Sequence, residues 1–489
     1  MPTRKPPRPP SVVTPPIADG VIADKPPVSA DIDLRPGGLT LPEALDPEEI
    51  ERRQRAEENF RQIRHVVVMM LENRSFDHLL GYLSLPPALG GRGRADVEGL
   101  TGAEFNVAEG RRYDVRRLTD PFFPVGPPHS HGAILDQLGL RPFTDGPQGE
   151  VLGLNKGFAR SFLDDLRRDG HDFDPGLIMG YYTADNVPMF DFLAREFTVC
   201  DHWFSSFPGP TWPNRMFLYA GTSNGITGNP SSVLAPYAFS DPREMPSRLL
   251  TDVLDQHGVE WKSYSDDFAW IRFFPGRQSG VLANNIQDMR RFRRDCEKGR
   301  LPSFAFVDPN FTDLGPDRNS TDDLPPCDVR QAQRGVREVY EALRQSPNWP
   351  HTLFVVTYDE HGGFHDHLPP APVFDERQGF FRVLGARVPA LVASPYVPRG
   401  SVAKTVFDHT SVARTVLQRF VPAGPNAPFL SLRERMARSL SGLLTAESPR
   451  FDAPAAPSVP PPARRAPLPQ SALAQMAAAL RTRATAATP

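Results

Sequence analysis

Two short acidic runs and one threonine carry the side chains best suited to chemistry. Glu72-Asn73 follows the apolar run His65-Val-Val-Val-Met-Met-Leu71, and Asp359-Glu360 follows Leu353-Phe-Val-Val-Thr-Tyr358. Carboxylate and amide oxygens are hard ligands, suited to Ca, Mg or Mn and to harder Zn or Fe sites. Glu72-Asn73 alone also suits the N-cap of a following helix. The second pair tilts the reading toward a metal centre, because adjacent acids behind a buried strand are costly unless something cationic meets them. Thr211 lies in Gly209-Pro-Thr-Trp-Pro-Asn-Arg215, after a Pro-Gly-Pro bend and at the start of a helical stretch. Free N–H groups at a helix start welcome phosphate, and a metal ion can turn a threonine hydroxyl into a nucleophile. From spacing alone the same threonine reads first as an N-cap, and its neighbours are what raise it to a nucleophile.

Histidines supply the remaining candidates. His129 and His131 stand in Pro127-Pro-His-Ser-His131, and His365 and His367 follow the second acidic pair directly. Near a phosphoryl group an imidazole holds a non-bridging oxygen or protonates a leaving alcohol. His129 and His367 are the two carried forward as catalytic. Asn214 and Arg215 either touch the phosphate or fix the helix that carries Thr211. Asp408-His409 opens a later helical stretch and reads as a loop-ordering pair.

The elements that must position these groups are legible as hydrophobic runs. Both acidic pairs end strands apolar on both faces, as in a parallel sheet covered by helices. Ligands in such sheets bind beyond the carboxyl ends of the strands. Further strands are expected at Glu196–Cys200, Val259–Tyr264, Ser303–Val307 and Val388–Ala393, with helices at about 46–61, 328–344 and 411–420 between them. This alternation predicts a mainly parallel sheet with helices on both faces.

Residues 1–45 are proline-rich and aperiodic and read as a disordered arm. Residues 46–445 read as one catalytic domain, with 89–175 as an insertion of loops and short pieces over the sheet edge. Residues 446–489 read as a low-complexity Pro/Ala/Arg tail, with a short Ala-rich helix at 471–480. The net charge of −3 gives no general pull toward nucleic acid, and none is expected as a partner. Three cysteines make no disulfide framework. No apolar run is long enough to span a bilayer, and the basic N-terminus lacks the apolar segment of a signal peptide. The default compartment is therefore the cytoplasm, with export left open by an altered start site. The oligomeric state is not legible.

Taken together, Glu72-Asn-Arg-Ser-Phe-Asp-His78, Gly209-Pro-Thr-Trp-Pro-Asn-Arg215, Thr357-Tyr-Asp-Glu-His-Gly-Gly363 with Asp366-His367, and Asp408-His-Thr-Ser411 resemble the phosphoesterase family of bacterial and plant phospholipases C and bacterial acid phosphatases. The resemblance covers about residues 64–420. It implies an alkaline-phosphatase-like α/β/α three-layer sandwich. It also implies one metal ion at Glu72, Asn73, Asp359 and Glu360, a metal-bound threonine nucleophile at Thr211, and an active-site histidine at His129. The implied reaction is hydrolysis of phosphate esters through a phospho-threonine, with phospholipids preferred as substrate over phosphomonoesters. One departure stands out: where the family carries a histidine before Pro-Pro, this chain reads Thr321-Asp-Asp-Leu324-Pro-Pro. Asp323 and His365 are the neighbouring groups with the chemistry to substitute. The competing expectation is a catalytically impaired relative that binds a phosphorylated ligand.

Overall fold

The computed structural model describes residues 46–140, 154–229, 245–274, 277, 284–311, 320–424 and 426–462. The proline-rich arm and the Ala-rich segment at 471–480 lie outside the described residues. The described residues from Ile50 onward belong to one compact unit, and the unit before it is described only at residues 46–49.

Eight strands form the central sheet: β1 His65–Leu71, β2 Thr198–Cys200, β3 Trp261–Tyr264, β4 Ile286–Gln287, β5 Phe304–Val307, β6 Thr352–Tyr358, β7 Ala390–Ala393 and β8 Val402–Ala403. Their spatial order is β8-β2-β7-β6-β1-β5-β3-β4. All pairings are parallel except those of β7, which runs antiparallel to both β6 and β2. Val66 to Leu71 and all of β6 are buried, as unbroken β-branched and aromatic runs require of central strands covered on both faces.

The helices are α1 Pro47–Gln62, α2 Phe76–Leu79, α3 His131–Leu138, α4 Phe158–Asp169, α5 Pro188–Glu196, α6 Thr211–Ala220, α7 Leu250–Gln256, α8 Met289–Glu297, α9 Arg330–Arg344, α10 Thr410–Phe420 and α11 Leu432–Met436. Helix α9 packs against both α5 and α8, while α6, α7 and α10 pack on one another. These two groups are the helical layers expected around a parallel sheet. Helix α9 shows why: Val336, Val339, Tyr340 and Leu343 fall at helical spacing and all four are buried.

The described part of segment 89–175 holds the hairpin Phe105–Ala108/Arg111–Asp114, two two-residue strands and helices α3 and α4. The tail departs from expectation. Residues 446–462 are laid against the domain: the Tyr340 hydroxyl donates to the Pro454 carbonyl, Arg337 to Pro457, and the Ala456 N–H to Glu341. A proline-rich stretch has few N–H groups of its own but keeps its carbonyls, so side chains of a neighbouring helix dock it.

Candidate active site

Strands β1 and β6 are hydrogen-bonded neighbours in parallel register, from His65 beside Thr352 to Leu71 beside Tyr358. The next residues, Glu72 and Asp359, therefore emerge side by side at the carboxyl edge. The Asn73 N–H donates to Asp359 Oδ1 at 3.1 Å, and the Arg74 N–H to the Glu360 carbonyl at 3.1 Å. Asn73 turns the chain with φ 66°, a left-handed conformation that asparagine tolerates better than most residues. The cap of α2 is Ser75, whose Oγ accepts from the His78 N–H. Glu72 and Asn73 are thus not the capping pair that the sequence alone left open.

The glycines of Asp359-Glu-His-Gly-Gly363 have a steric reason. Gly362 and Gly363 have φ of +64° and +79°; a Cβ on Gly362 would stand 2.2 Å from the Asn73 carbonyl, and one on Gly363 2.5 Å from that of Pro128. This glycine pair lets the β6 loop close against both the β1 loop and the segment bearing His129.

Four buried oxygens on these two loops lack a hydrogen-bond donor: Glu72 Oε1, Asn73 Oδ1, Asp359 Oδ2 and Glu360 Oε1. Each belongs to one of the four residues assigned to a metal by sequence. The cation nearest them is Arg215, fully buried, at 3.4 Å from Glu72 Oε1 and 3.5 Å from Asp359 Oδ2. Its Nη2 also donates to the carbonyls of Met70 and Leu71. Burial pushes Glu72 and Glu360 well above the usual carboxylate range and raises Asp359 too, with neighbouring carboxylates adding to the rise of the two glutamates; Arg215 opposes the rise at both Glu72 and Asp359, and the Asn73 and Glu360 N–H groups oppose it further at Asp359. The one guanidinium pairs with two of the three buried acids, Glu72 and Asp359. A dry set of hard oxygens with unused lone pairs fits a hard metal ion.

Helix α6 brings the threonine. Pro210 takes the cap position and Thr211 is the first helical residue, so Thr211 is not the cap. It shares a helix face with Arg215, four residues on, which already touches Glu72 and Asp359. Asn214 spends its amide on the preceding bend: Oδ1 accepts from the Phe207 N–H, and Nδ2 donates to the carbonyls of Phe207, Gly209 and Pro210. Asn214 is therefore placed in the framework beneath Thr211, whereas Arg215, bonded to two carbonyls through Nη2, keeps Nε and Nη1 without a hydrogen-bond partner.

His129 stands against Asn73. Its Nδ1 faces the Pro127 carbonyl at 2.8 Å, which can only accept, so the proton sits on Nδ1 and Nε2 carries a lone pair. That lone pair meets Asn73 Nδ2 at 3.3 Å, which turns Asn73 Oδ1 toward the acids. Burial lowers the pKa of His129 and so favours the neutral ring. His131 bonds the Pro208 carbonyl and stacks on Phe207, so it bears on the loop rather than on the acids.

Two residues of the site escaped the sequence reading. His361 is buried next to Glu360 and bonds Gln137 Oε1 at 2.9 Å; Gln137 Nε2 in turn donates to the Pro128 carbonyl at 2.7 Å. This bridge ties the His129 segment to the β6 loop. The Asp-Glu-His-Gly-Gly run held a signal for His361, but Gln137 lies 224 positions away with none. His409 donates through Nε2 to the Asp359 carbonyl at 2.7 Å, in the ordering role expected of it.

His367 belongs to an adjacent cluster. Its Nδ1 lies 2.8 Å from Asp77 Oδ2, while Arg387 pairs with Asp77 at 3.0 Å and Asp366 at 2.9 Å. The ligand atoms of Asp77, Asp366 and His367 lie within 4.8 Å of one another. Arg387 already supplies the positive charge this group needs, which makes it an ion-pair network rather than an open cation site. Leu324 sits half-buried in the segment whose Asp322 carbonyl accepts from the Glu72 N–H at 2.7 Å. Asp323 is committed to Arg74 and the Tyr358 hydroxyl, and His365 packs on Phe158 with burial pushing its pKa down to about 4. Neither substitutes for a histidine at 324.

Comparison with known proteins agrees with the resemblance read from the motifs. Residues 63–421 match the Phosphoesterase family profile, so the chain belongs to that family and is a hydrolase of phosphoester bonds. It is similar to non-specific phospholipase C6 of Arabidopsis thaliana, 33% identical over 425 residues that cover 80% of this chain and 74% of the relative. Phospholipase C B of Mycobacterium tuberculosis is 26% identical over 414 residues, 74% of each chain. Among solved structures, a protein in the alkaline phosphatase superfamily from Vibrio parahaemolyticus aligns with a TM-score of 0.31 and 14% identity over 49% of this chain and 62% of that one.

Proposed function

We propose that this phosphoesterase is a metal-dependent phospholipase C that works through a phospho-threonine at Thr211. The observation that carries the reading is the set of four donorless buried oxygens on Glu72, Asn73, Asp359 and Glu360, beside the helix that starts at Thr211. A metal ion held by these four residues and Thr211 would supply Lewis acidity, lowering the pKa of the hydroxyl and offsetting phosphoryl charge.

The chain's own residues supply the rest. Thr211 Oγ attacks phosphorus in line; the Thr211 O–P bond forms as the bond from phosphorus to the glyceride oxygen breaks. His129, held neutral with its lone pair on Nε2, takes up a proton there and returns one to the departing alkoxide. Water then attacks from the opposite side, the Thr211 O–P bond breaks, and the hydroxyl recovers its proton. Arg215 keeps Glu72 and Asp359 oriented throughout, and the Gln137–His361 bridge holds His129 over the site. His367 acts from the neighbouring network, where Asp77 fixes its ring.

A phospholipid is preferred over a small phosphomonoester because non-specific phospholipase C6 and phospholipase C B, to which the chain is similar, are named phospholipases C. Leu324 favours a second reading, a slow enzyme or a phosphoester-binding relative. The test is turnover of phosphatidylcholine vesicles and of p-nitrophenyl phosphate by metal-reconstituted protein, beside Thr211→Ala, with acid-quenched digests searched for phosphate on the Thr211 peptide. Turnover and trapped phosphate, both lost in Thr211→Ala, are expected. Bound metal with no turnover of either ester would sink the proposal in favour of the binding-only reading.

A further inference from the structure

The loop that carries Thr211 connects to the surface through a ladder of rings. His131 bonds the Pro208 carbonyl and stacks on Phe207 at 4.9 Å and 22°. Phe207 stacks in turn on Phe381 at 4.8 Å, and His131 meets Phe380 edge-on at 5.3 Å. Phe380 and Phe381 lie in a hairpin-like loop, residues 371–384, closed by bonds from the Val373 N–H to the Arg382 carbonyl and from the Leu384 N–H to the Ala371 carbonyl.

That loop and helix α11 together expose an apolar face. Phe374 on the loop is 39% exposed, and Leu432 and Met436, one turn apart on α11, are 41% and 47% exposed. The two segments are clamped together: the Leu432 N–H donates to Glu376, and buried Arg433 bonds both Asp375 at 3.2 Å and the Phe381 carbonyl at 3.1 Å. The same contacts turn the loop's two acids onto α11. Arg377, Arg382 and Arg435 are left on the exposed side. Large apolar side chains with exposed arginines on the same two segments match the boundary between acyl chains and phosphate headgroups.

We propose that this face, Phe374 with Leu432 and Met436, seats the enzyme on a phospholipid surface, and that the ring ladder leads the lipid toward Thr211. The proposal rests on the phospholipase reading for its substrate, but the binding it asserts is measurable without turnover. The charge complementarity of the arginines to lipid phosphate singles out a bilayer over a second copy of the chain, whose matching face would be equally basic.

The test compares full-length protein with the triple variant F374S/L432S/M436S and with Phe374→Ser alone, all checked by thermal melting. Probes are phosphatidylcholine vesicles and water-soluble p-nitrophenyl phosphocholine. Vesicle cosedimentation should fall about tenfold in the triple variant and KM for vesicle lipid should rise by a similar factor, with kcat on the soluble ester unchanged. Phe374→Ser should show a smaller change in the same direction. Vesicle binding equal to wild type in a folded variant would overturn the proposal, as would an altered oligomeric state with binding intact. A wild-type protein that cleaves neither ester yet loses vesicle binding on substitution would keep the lipid surface and sink the phospholipase reading instead.

Discussion

The backbone N–H of Asn73 donates to Asp359 Oδ1 at 3.1 Å, so the two acidic loops are joined to each other by the protein itself. One carboxylate oxygen of Asp359 organises the opposite loop while the other, Oδ2, is left without a donor. Asp359→Ala should therefore damage both jobs. Metal content by elemental analysis should drop below one-tenth of wild type, and turnover should fall by about 10³-fold. Glu72→Gln should lower metal occupancy as well, and chelation of the wild type should abolish turnover until metal is restored. Full occupancy in either variant would leave these residues without the ligand role.

Arg215 is the cation on which the buried acids depend in the metal-free protein. Arg215→Met should destabilise that form by about 3–5 kcal/mol in denaturant titrations, because it strands buried carboxylates. Added metal should recover much of the loss. Equal destabilisation with and without metal would show that Arg215 acts through packing alone.

Leu324 is the one side chain of this site that contradicts its chemistry. Leu324→His should raise kcat about tenfold or more on the better substrate, since a donor returns beside the Glu72 loop. An unchanged kcat with intact metal binding would mean that the site works without that imidazole.

His367 ties stability to alkaline pH. Pairing with Asp77 outweighs burial and raises its pKa from 6.5 to about 9. A group whose folded pKa is raised lends stability that is full below about pH 6.5 and lost as pH climbs through about 9. The wild type should lose on the order of 1–3 kcal/mol across that window, and His367→Gln should show a flatter profile. Parallel profiles for the two proteins would place the titration elsewhere.

Gly362 is expected to tolerate no side chain. A Cβ would press on the Asn73 carbonyl from a left-handed backbone. Gly362→Ala should cost about 2 kcal/mol or more in unfolding experiments and reduce metal content with it.

Much of this protein was legible in one dimension. Strands β1 and β6 announce themselves because a strand covered on both faces must be apolar at every position, and each is followed at once by its acids. Chain continuity thus placed Glu72, Asn73, Asp359 and Glu360 at strand ends, and the Pro-Gly-Pro bend placed Thr211 at a helix start. The antiparallel direction of β7 was not legible, since a buried run reads the same either way. Nor was the ordered tail at 446–462, whose composition is that of an unfolded segment and whose partners Arg337, Tyr340 and Glu341 lie more than a hundred residues upstream.

Function divides along the same line. Residue types and order determined the kind of chemistry: hard oxygens, a hydroxyl and imidazoles in the motifs of one family. Tertiary structure alone decided which polar atoms were already satisfied. It left one oxygen on each of four residues without a donor, spent Asn214 on a backbone bend, set Arg215 between two acids, and gave Asp323 to Arg74. Hydrogen-bond satisfaction depends on neighbours that are distant in sequence and close in space, and a buried polar atom is available to a ligand only when the fold has given it no other partner.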